Sequence, residues 1–156
     1  MPITPVSFTC TASLPNSPEA IATQILDLDR WLDFKGYGPI PRIKSAQFEV
    51  RTPGVKGTRI RVINSDGSSH VEEIVVWEPK SRLQLRFDQF SPPLSIMAEY
   101  FTETWQFEVA GERTKVRRLM ELHPKSIWAW PGLWMISFLL KGAIAKHLRV
   151  IQESKN

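Results

Sequence analysis

Cysteine is almost absent from this chain. Cys10 is the only one among 156 residues, which excludes an internal disulfide and a thiolate metal cluster and suits a reducing, cytoplasmic compartment. The three histidines, His70, His123 and His147, stand far apart and lack metal-ligand spacing with any carboxylate, so no metal is expected. There is no glycine-rich phosphate loop. Gly36 and Gly38 belong instead to FKGYGPIP, a segment too rich in Gly and Pro for helix or strand and read as a mobile loop over a site. No nucleophile triad can be assembled, and no cofactor is expected. The opening MPITPVSFTC has neither the basic start nor the continuous apolar core of a secretory signal. A membrane span is also missing from the expectation: SIWAWPGLWMISFLL, residues 126–140, falls short of the roughly 20 residues needed, Pro131 interrupts it and Lys141 ends it. No internal repeat or low-complexity segment is evident.

What is present suits one domain over residues 1–156, with 42% hydrophobic and 23% charged residues. The net charge of +4 allows weak attraction to anions without selecting among them. Val6 to Ala12 alternates apolar and hydroxylated residues, as a strand with one buried face does. Asn16 or Ser17 can cap a short helix that opens on Pro18 and Glu19 and continues after a bend through Arg30, Trp31 and Leu32. From residue 42 to 123, turn signals recur at about ten-residue spacing and divide the chain into six antiparallel strands. After His123 and Pro124 the period becomes helical, with Leu133, Ile136, Leu140, Ile144, His147, Leu148 and Ile151 on one stripe and Ser137, Lys141, Ala145 and Arg149 on the other. An antiparallel sheet has one face to bury, and this long helix is the only large element that can cover it.

That order, with Gly57-Thr58-Arg59-Ile60-Arg61 opening a strand, the run from Glu73 through Trp77-Glu78-Pro79 to Leu83, and Thr104 to Val109 before a Gly-containing hairpin, resembles the START-like superfamily. These SRPBCC or helix-grip proteins include polyketide cyclases, lipid-transfer domains, plant hormone receptors and stress-related allergens. The resemblance implies an α+β helix-grip fold. A seven-stranded curved antiparallel sheet would wrap a long C-terminal helix, with short helices between strands one and two. It also implies a deep apolar cavity between sheet and helix that usually holds a hydrophobic small molecule. Because this superfamily hosts many functions on one scaffold, the likeness specifies fold better than activity.

Strand parity then selects polar groups that share a face with apolar ones. Glu73 goes with Val71, Val75 and Trp77; Glu103 with Phe101, Trp105 and Phe107; Arg118 with Val116, Met120 and Leu122. The first assignment is ambiguous, since Ile74 and Val76 are apolar in the opposite phase. If these faces are internal, Glu73, Glu103 and Arg118 are candidate catalytic groups, because an isolated buried charge must pair or neutralise. The candidate ligand contacts are Trp77, Glu103, Trp105, Arg118, Met120, Trp130, Trp134, Phe138 and His147. Trp128, Trp130, Trp134 and Phe138 stand where the resemblance puts the cavity mouth; core packing and an interface with a membrane or partner are the other two readings of the cluster. The alternating Arg113, Lys115 and Arg117, with Arg59 and Arg61, read as a solvated sheet face paired with residues such as Glu72 and Glu108. Nucleic acid is not an expected partner, as no aromatic interleaving accompanies these charges.

The leading functional expectation is binding of one hydrophobic, lipid- or polyketide-like molecule. A cyclase or dehydratase using acid-base carboxylates is the first alternative. An interaction module using the aromatic surface on a partner or membrane is the second.

Overall fold

The computed structural model describes residues 3–153. Its elements are β1 (Val6–Leu14), α1 (Pro18–Ile25), a 3-10 helix (Leu28–Asp33), β2 (Ile43–Val50), β3 (Arg59–Asn64), β4 (Ser69–Glu78), β5 (Arg82–Asp88), α2 (Leu94–Met97), β6 (Ala98–Ala110), β7 (Arg113–Pro124), a 3-10 turn (Ile127–Ala129) and α3 (Trp130–Glu153). The strands form a seven-stranded antiparallel sheet in the order β1-β7-β6-β5-β4-β3-β2. Strands two to seven are a meander, and β1 pairs with β7, so the two ends of the sheet are joined in sequence by α1 and the 3-10 helix.

Local chemistry accounts for these boundaries. The Ser17 hydroxyl accepts from the Ala20 amide at 3.2 Å and Pro18 occupies the first turn of α1, where its missing N–H costs nothing. Trp31 fixes the bend that follows by donating its indole N–H to the Ile25 carbonyl at 2.8 Å. Gly67 and Gly111 supply the positive φ that the β3–β4 and β6–β7 turns require.

Helix α3 packs along β1 and β7, burying Leu133, Ile144 and Leu148 with the inward-facing Val6, Cys10, Leu14, Leu83, Val116 and Leu122 of the sheet. The expected stripe is therefore the one that faces inward, with one correction. Ser137, assigned from the sequence to the outer face, is buried and returns its hydroxyl to the Trp134 carbonyl at 2.6 Å; a self-satisfied hydroxyl is tolerated inside a helix packing face. By length and composition the segment 127–153 would suit a membrane span, yet its inner side is committed to the sheet.

The FKGYGPIP loop folds back through a Tyr37–Ile40 bridge and lies on α3. Two glycines make this possible. A Cβ on Gly36, which has φ +76°, would fall 2.3 Å from the Ile40 carbonyl oxygen, and one on Gly142 would fall 2.8 Å from the Tyr37 ring.

Candidate functional site

Between α3, the inner face of the sheet and the α1–3-10 segment lies a cavity of about 240 Å³. Ile136, Leu140 and Ile144 form its helix wall, Leu85, Phe87, Phe101 and Met120 its sheet wall, and Ile25, Trp31 and Phe34 the side under the 3-10 helix. This lining is overwhelmingly apolar. Besides Gln24, Arg30, Asp33, Asn64 and Ser68, its polar side chains form two groups.

The first group is centred on Arg118. Cross-strand register sets Trp105 beside Arg118 and Glu103 beside Met120 on neighbouring strands β6 and β7, so Glu103, Trp105 and Arg118 share the inner face. Arg118 donates Nε (3.0 Å) and Nη2 (2.7 Å) to Oε2 of Glu103, and Nη1 lies 2.8 Å from Nδ1 of His147 on α3. Trp105 donates its indole N–H to the other Glu103 oxygen at 3.0 Å, and the guanidinium carbon sits 4.1 Å above the Trp105 ring. Both charged residues are only 4% exposed. Each carboxylate oxygen therefore has a donor, and the cation has a carboxylate and an aromatic face, which is what a buried ion pair requires to survive desolvation. Phe34 meets the His147 ring edge-on at 5.7 Å between centroids. Burial, reinforced by the Arg118 charge, lowers the His147 pKa to about 3.

The second group is His70 and Glu72 on β4. Nε2 of His70 is 2.8 Å from Oε2 of Glu72, and the imidazole stacks on Phe87 with centroids 5.3 Å apart. Burial raises the Glu72 pKa; the hydrogen bond and charge of His70 oppose the shift. A carboxyl in that setting can act as a proton donor as well as an acceptor.

Of the residues selected from the sequence, Glu103, Trp105, Arg118, Met120 and His147 line this cavity. Glu73 does not. It points to the outer face and pairs with Arg59 at 2.8 Å. Alternation counted back from Trp77 misplaces it because of a bulge: β4 pairs Ile74 with Leu85 but Val76 with Gln84, leaving Val75 extra, and an extra residue inverts the face of everything beyond it. Glu72 and Ile74 are thus internal before the bulge and Trp77 after it. Trp77 packs against the core opposite Leu83, away from the cavity lining.

Trp130, Trp134 and Phe138 also lie outside the cavity. Trp134 and Phe138, one helical turn apart, stack on each other at 6.4 Å on the solvent side of α3, and Trp130 reaches the Thr4 carbonyl at 3.2 Å. The outer basic face pairs as Arg59 with Glu73 and Arg61 with Glu49, rather than through the internal Glu72.

Sequence reasoning passed over His70, Glu72, Trp31, Phe34, Phe87 and Phe101 as cavity residues. For His70 and Glu72 the signal was the apolar Ile74 in their phase. Phe34 gave no periodic signal, since it opens the irregular FKGYGPIP loop.

Solved structures with this architecture span nearly the whole chain. Ara h 8.0201 superposes with a TM-score of 0.70 at 17% identity, each chain covered to 95%. TTHA0849 from Thermus thermophilus gives 0.71 at 16%, again with 95% of each chain covered. A START superfamily protein from Mycobacterium smegmatis gives 0.66 at 14%, covering 95% of this chain and 99% of its own. At such identities the likeness establishes the fold alone. No curated protein matches by sequence. The family model described as polyketide cyclase / dehydrase and lipid transport, however, matches residues 5–153, and the chain belongs to that family of START-like proteins.

Proposed function

We propose that the chain binds one compact hydrophobic molecule carrying a carbonyl-type oxygen, held between α3 and the sheet. The observation that carries this reading is the pairing of an apolar cavity of about 240 Å³ with a charge-compensated but donor-rich Arg118 centre. A guanidinium has five N–H donors and no acceptor. Three are engaged by Glu103 and His147, which leaves two for a ligand. His147, accepting at Nδ1, keeps its proton on Nε2 as a further donor. Glu103 already offsets the Arg118 charge, so the centre favours a neutral acceptor over a carboxylate. The volume sits just below the range of about 300–1,000 Å³ usual for ligand pockets, which favours a compact molecule over a long lipid.

Native mass spectrometry on gently purified protein, paired with organic extraction, tests the proposal. A defined apolar compound released at unit stoichiometry, and lost in Arg118→Met, is the expected result. Protein that neither carries such a compound nor takes up a panel of small aromatic ketones would overturn it.

The His70–Glu72 pair favours a second reading, in which the bound molecule is also cyclised or dehydrated. Glu72 would exchange a proton with the ligand while Arg118 and the Nε2–H of His147 stabilise a developing enolate. Turnover of a bound poly-β-ketone that disappears in Glu72→Gln, with binding retained, separates this reading from simple carriage.

A further inference from the structure

We propose that the aromatic surface at the start of α3 docks the protein on an anionic phospholipid bilayer. Monomeric proteins scatter their exposed apolar residues singly; a concentration at one place calls for an occupant. Here two consecutive pieces of structure, the 3-10 turn and α3, contribute to one. The 3-10 turn exposes Ile127 and Trp128, the latter at 87%, and α3 exposes Trp134, Met135 and Phe138; on neighbouring α2, Ile96 is exposed as well, at 73%. Gly132 allows α2 to seat against α3, since a Cβ there would meet the Met97 sulfur at 3.1 Å. α2 thus seats on the Gly132 side of α3, away from Trp134 and Phe138, which helical spacing turns to a different side, so the aromatic surface itself belongs to the turn and α3.

Charge identifies the occupant. Residues 122–152 contain no Asp or Glu but include Lys125, Lys141, Lys146 and Arg149, and residues 89–98, which carry α2, hold no charge of either sign. Exposed Lys125 and Lys141 bracket the aromatic run. A tryptophan-rich apolar surface edged by lysines matches the headgroup boundary of a negatively charged bilayer, where indole rings concentrate and cationic side chains meet lipid phosphates. A second copy of this chain fits less well, because it would bring two acid-free cationic stretches together. Insertion through the bilayer is opposed by the inner side of α3, where Leu133, Ile144 and Leu148 are held in the protein core. The protein lies on the surface rather than crossing it. Ile136 and Leu140, on the same turns as Trp134 and Phe138, line the cavity, so docking would bring one cavity wall against the lipid, although the surface does not depend on the cavity being filled.

Co-sedimentation with vesicles of phosphatidylcholine, alone and with added phosphatidylglycerol, tests this directly. Binding is expected with the anionic vesicles, weakened by salt. The variant Trp128→Ala/Trp134→Ala/Phe138→Ser should reduce partitioning by about tenfold or more. Lys125→Glu/Lys141→Glu should abolish the preference for phosphatidylglycerol while leaving the fold intact, and it carries the test if the triple variant does not fold. No sedimentation with either vesicle, sedimentation unchanged by both variants, or a dimer in size-exclusion chromatography that the triple variant dissolves would each overturn the proposal, the last by assigning the surface to self-association.

Discussion

Nη1 of Arg118 stands 2.8 Å from Nδ1 of His147, and the state of the imidazole follows from that contact. A guanidinium can only donate. Nδ1 must therefore accept, which leaves the ring neutral with its proton on Nε2. Protonating Nδ1 would set two cations face to face in a buried site, so burial and the Arg118 charge together hold the His147 pKa down to about 3. The residue that joins α3 to the sheet electrostatically is thus a neutral acceptor, while Glu103 supplies the counter-charge from the other side.

The pH dependence of stability should carry this signature. His147 takes up its proton near 6.5 in the unfolded chain and at about 3 in the folded one. Its contribution is therefore complete above pH 6.5 and is lost as pH falls toward 3, because over that interval only the unfolded chain binds the proton. The slope reaches about 1.4 kcal/mol per pH unit at most. His147→Gln retains a side-chain acceptor for Arg118 without the titration. Urea unfolding of both proteins from about pH 7 to about pH 4 should show the wild type losing stability more steeply, and identical slopes would count against a neutral His147.

Breaking the Arg118–Glu103 pair from one side should cost far more than removing it whole. Arg118→Met leaves the Glu103 carboxylate buried with only the Trp105 N–H for support, and removal of one partner of a buried pair typically costs about 3–5 kcal/mol. Arg118→Met/Glu103→Leu removes both charges, and most of that loss should be recovered. A double-mutant cycle by chemical denaturation measures it; simple additivity of the two single losses would show that the pair is not coupled as the geometry requires.

Much of this centre was legible from parity alone. Glu103, Trp105, Arg118 and Met120 fall on long, bulge-free stretches of β6 and β7, where an alternation counted from any apolar residue stays in phase. His147 was legible because α3 is long enough for its inner stripe to be unmistakable. Glu73 was misread for a reason no composition reveals: one inserted residue, Val75, reverses the face of β4 midway, so Val71 and Trp77 cannot both predict where Glu73 points. The aromatic run 126–140 announced that something was unusual without saying which way it faced. Trp134 and Phe138 lie one turn apart, and only the packing of Leu133 and Ile144 against the sheet turns that pair to solvent.

Glu72 should be a residue kept at the expense of stability. Its folded pKa is raised from the ordinary 4.5, chiefly by burial. The sign is opposite to that of His147: a carboxyl with an elevated folded pKa loses stability as pH rises through 4.5 and up to the folded value, because the unfolded chain releases its proton first. Glu72→Gln keeps an oxygen for the His70 contact and removes the charge. Its melting temperature should exceed that of the wild type at about pH 7 and converge with it near about pH 4. A variant less stable at neutral pH would mean that the ionised carboxylate is fully compensated in the fold.

The contact of Tyr37 with Gly142 makes the loop over α3 sensitive to a single methyl group. In an exposed helix interior, Gly to Ala stabilises by about 1 kcal/mol through helix propensity. At position 142 the added Cβ would sit 2.8 Å from two atoms of the Tyr37 ring, closer than carbon atoms approach, so the ring and the loop carrying it must move. Gly142→Ala should therefore be neutral or destabilising in the wild-type background and stabilising by about 1 kcal/mol once Tyr37→Ala has removed the obstruction. The same displacement should be visible at the site, because Ile40 and Pro41 of this loop line the cavity: exchange of a bound fluorescent apolar probe should be faster in Gly142→Ala and in Tyr37→Ala than in the wild type. If Gly142→Ala stabilises the protein with Tyr37 still present and leaves exchange unchanged, the loop does not rest on α3 through this contact, and closure of the cavity must be assigned to Phe34 and the 3-10 helix instead.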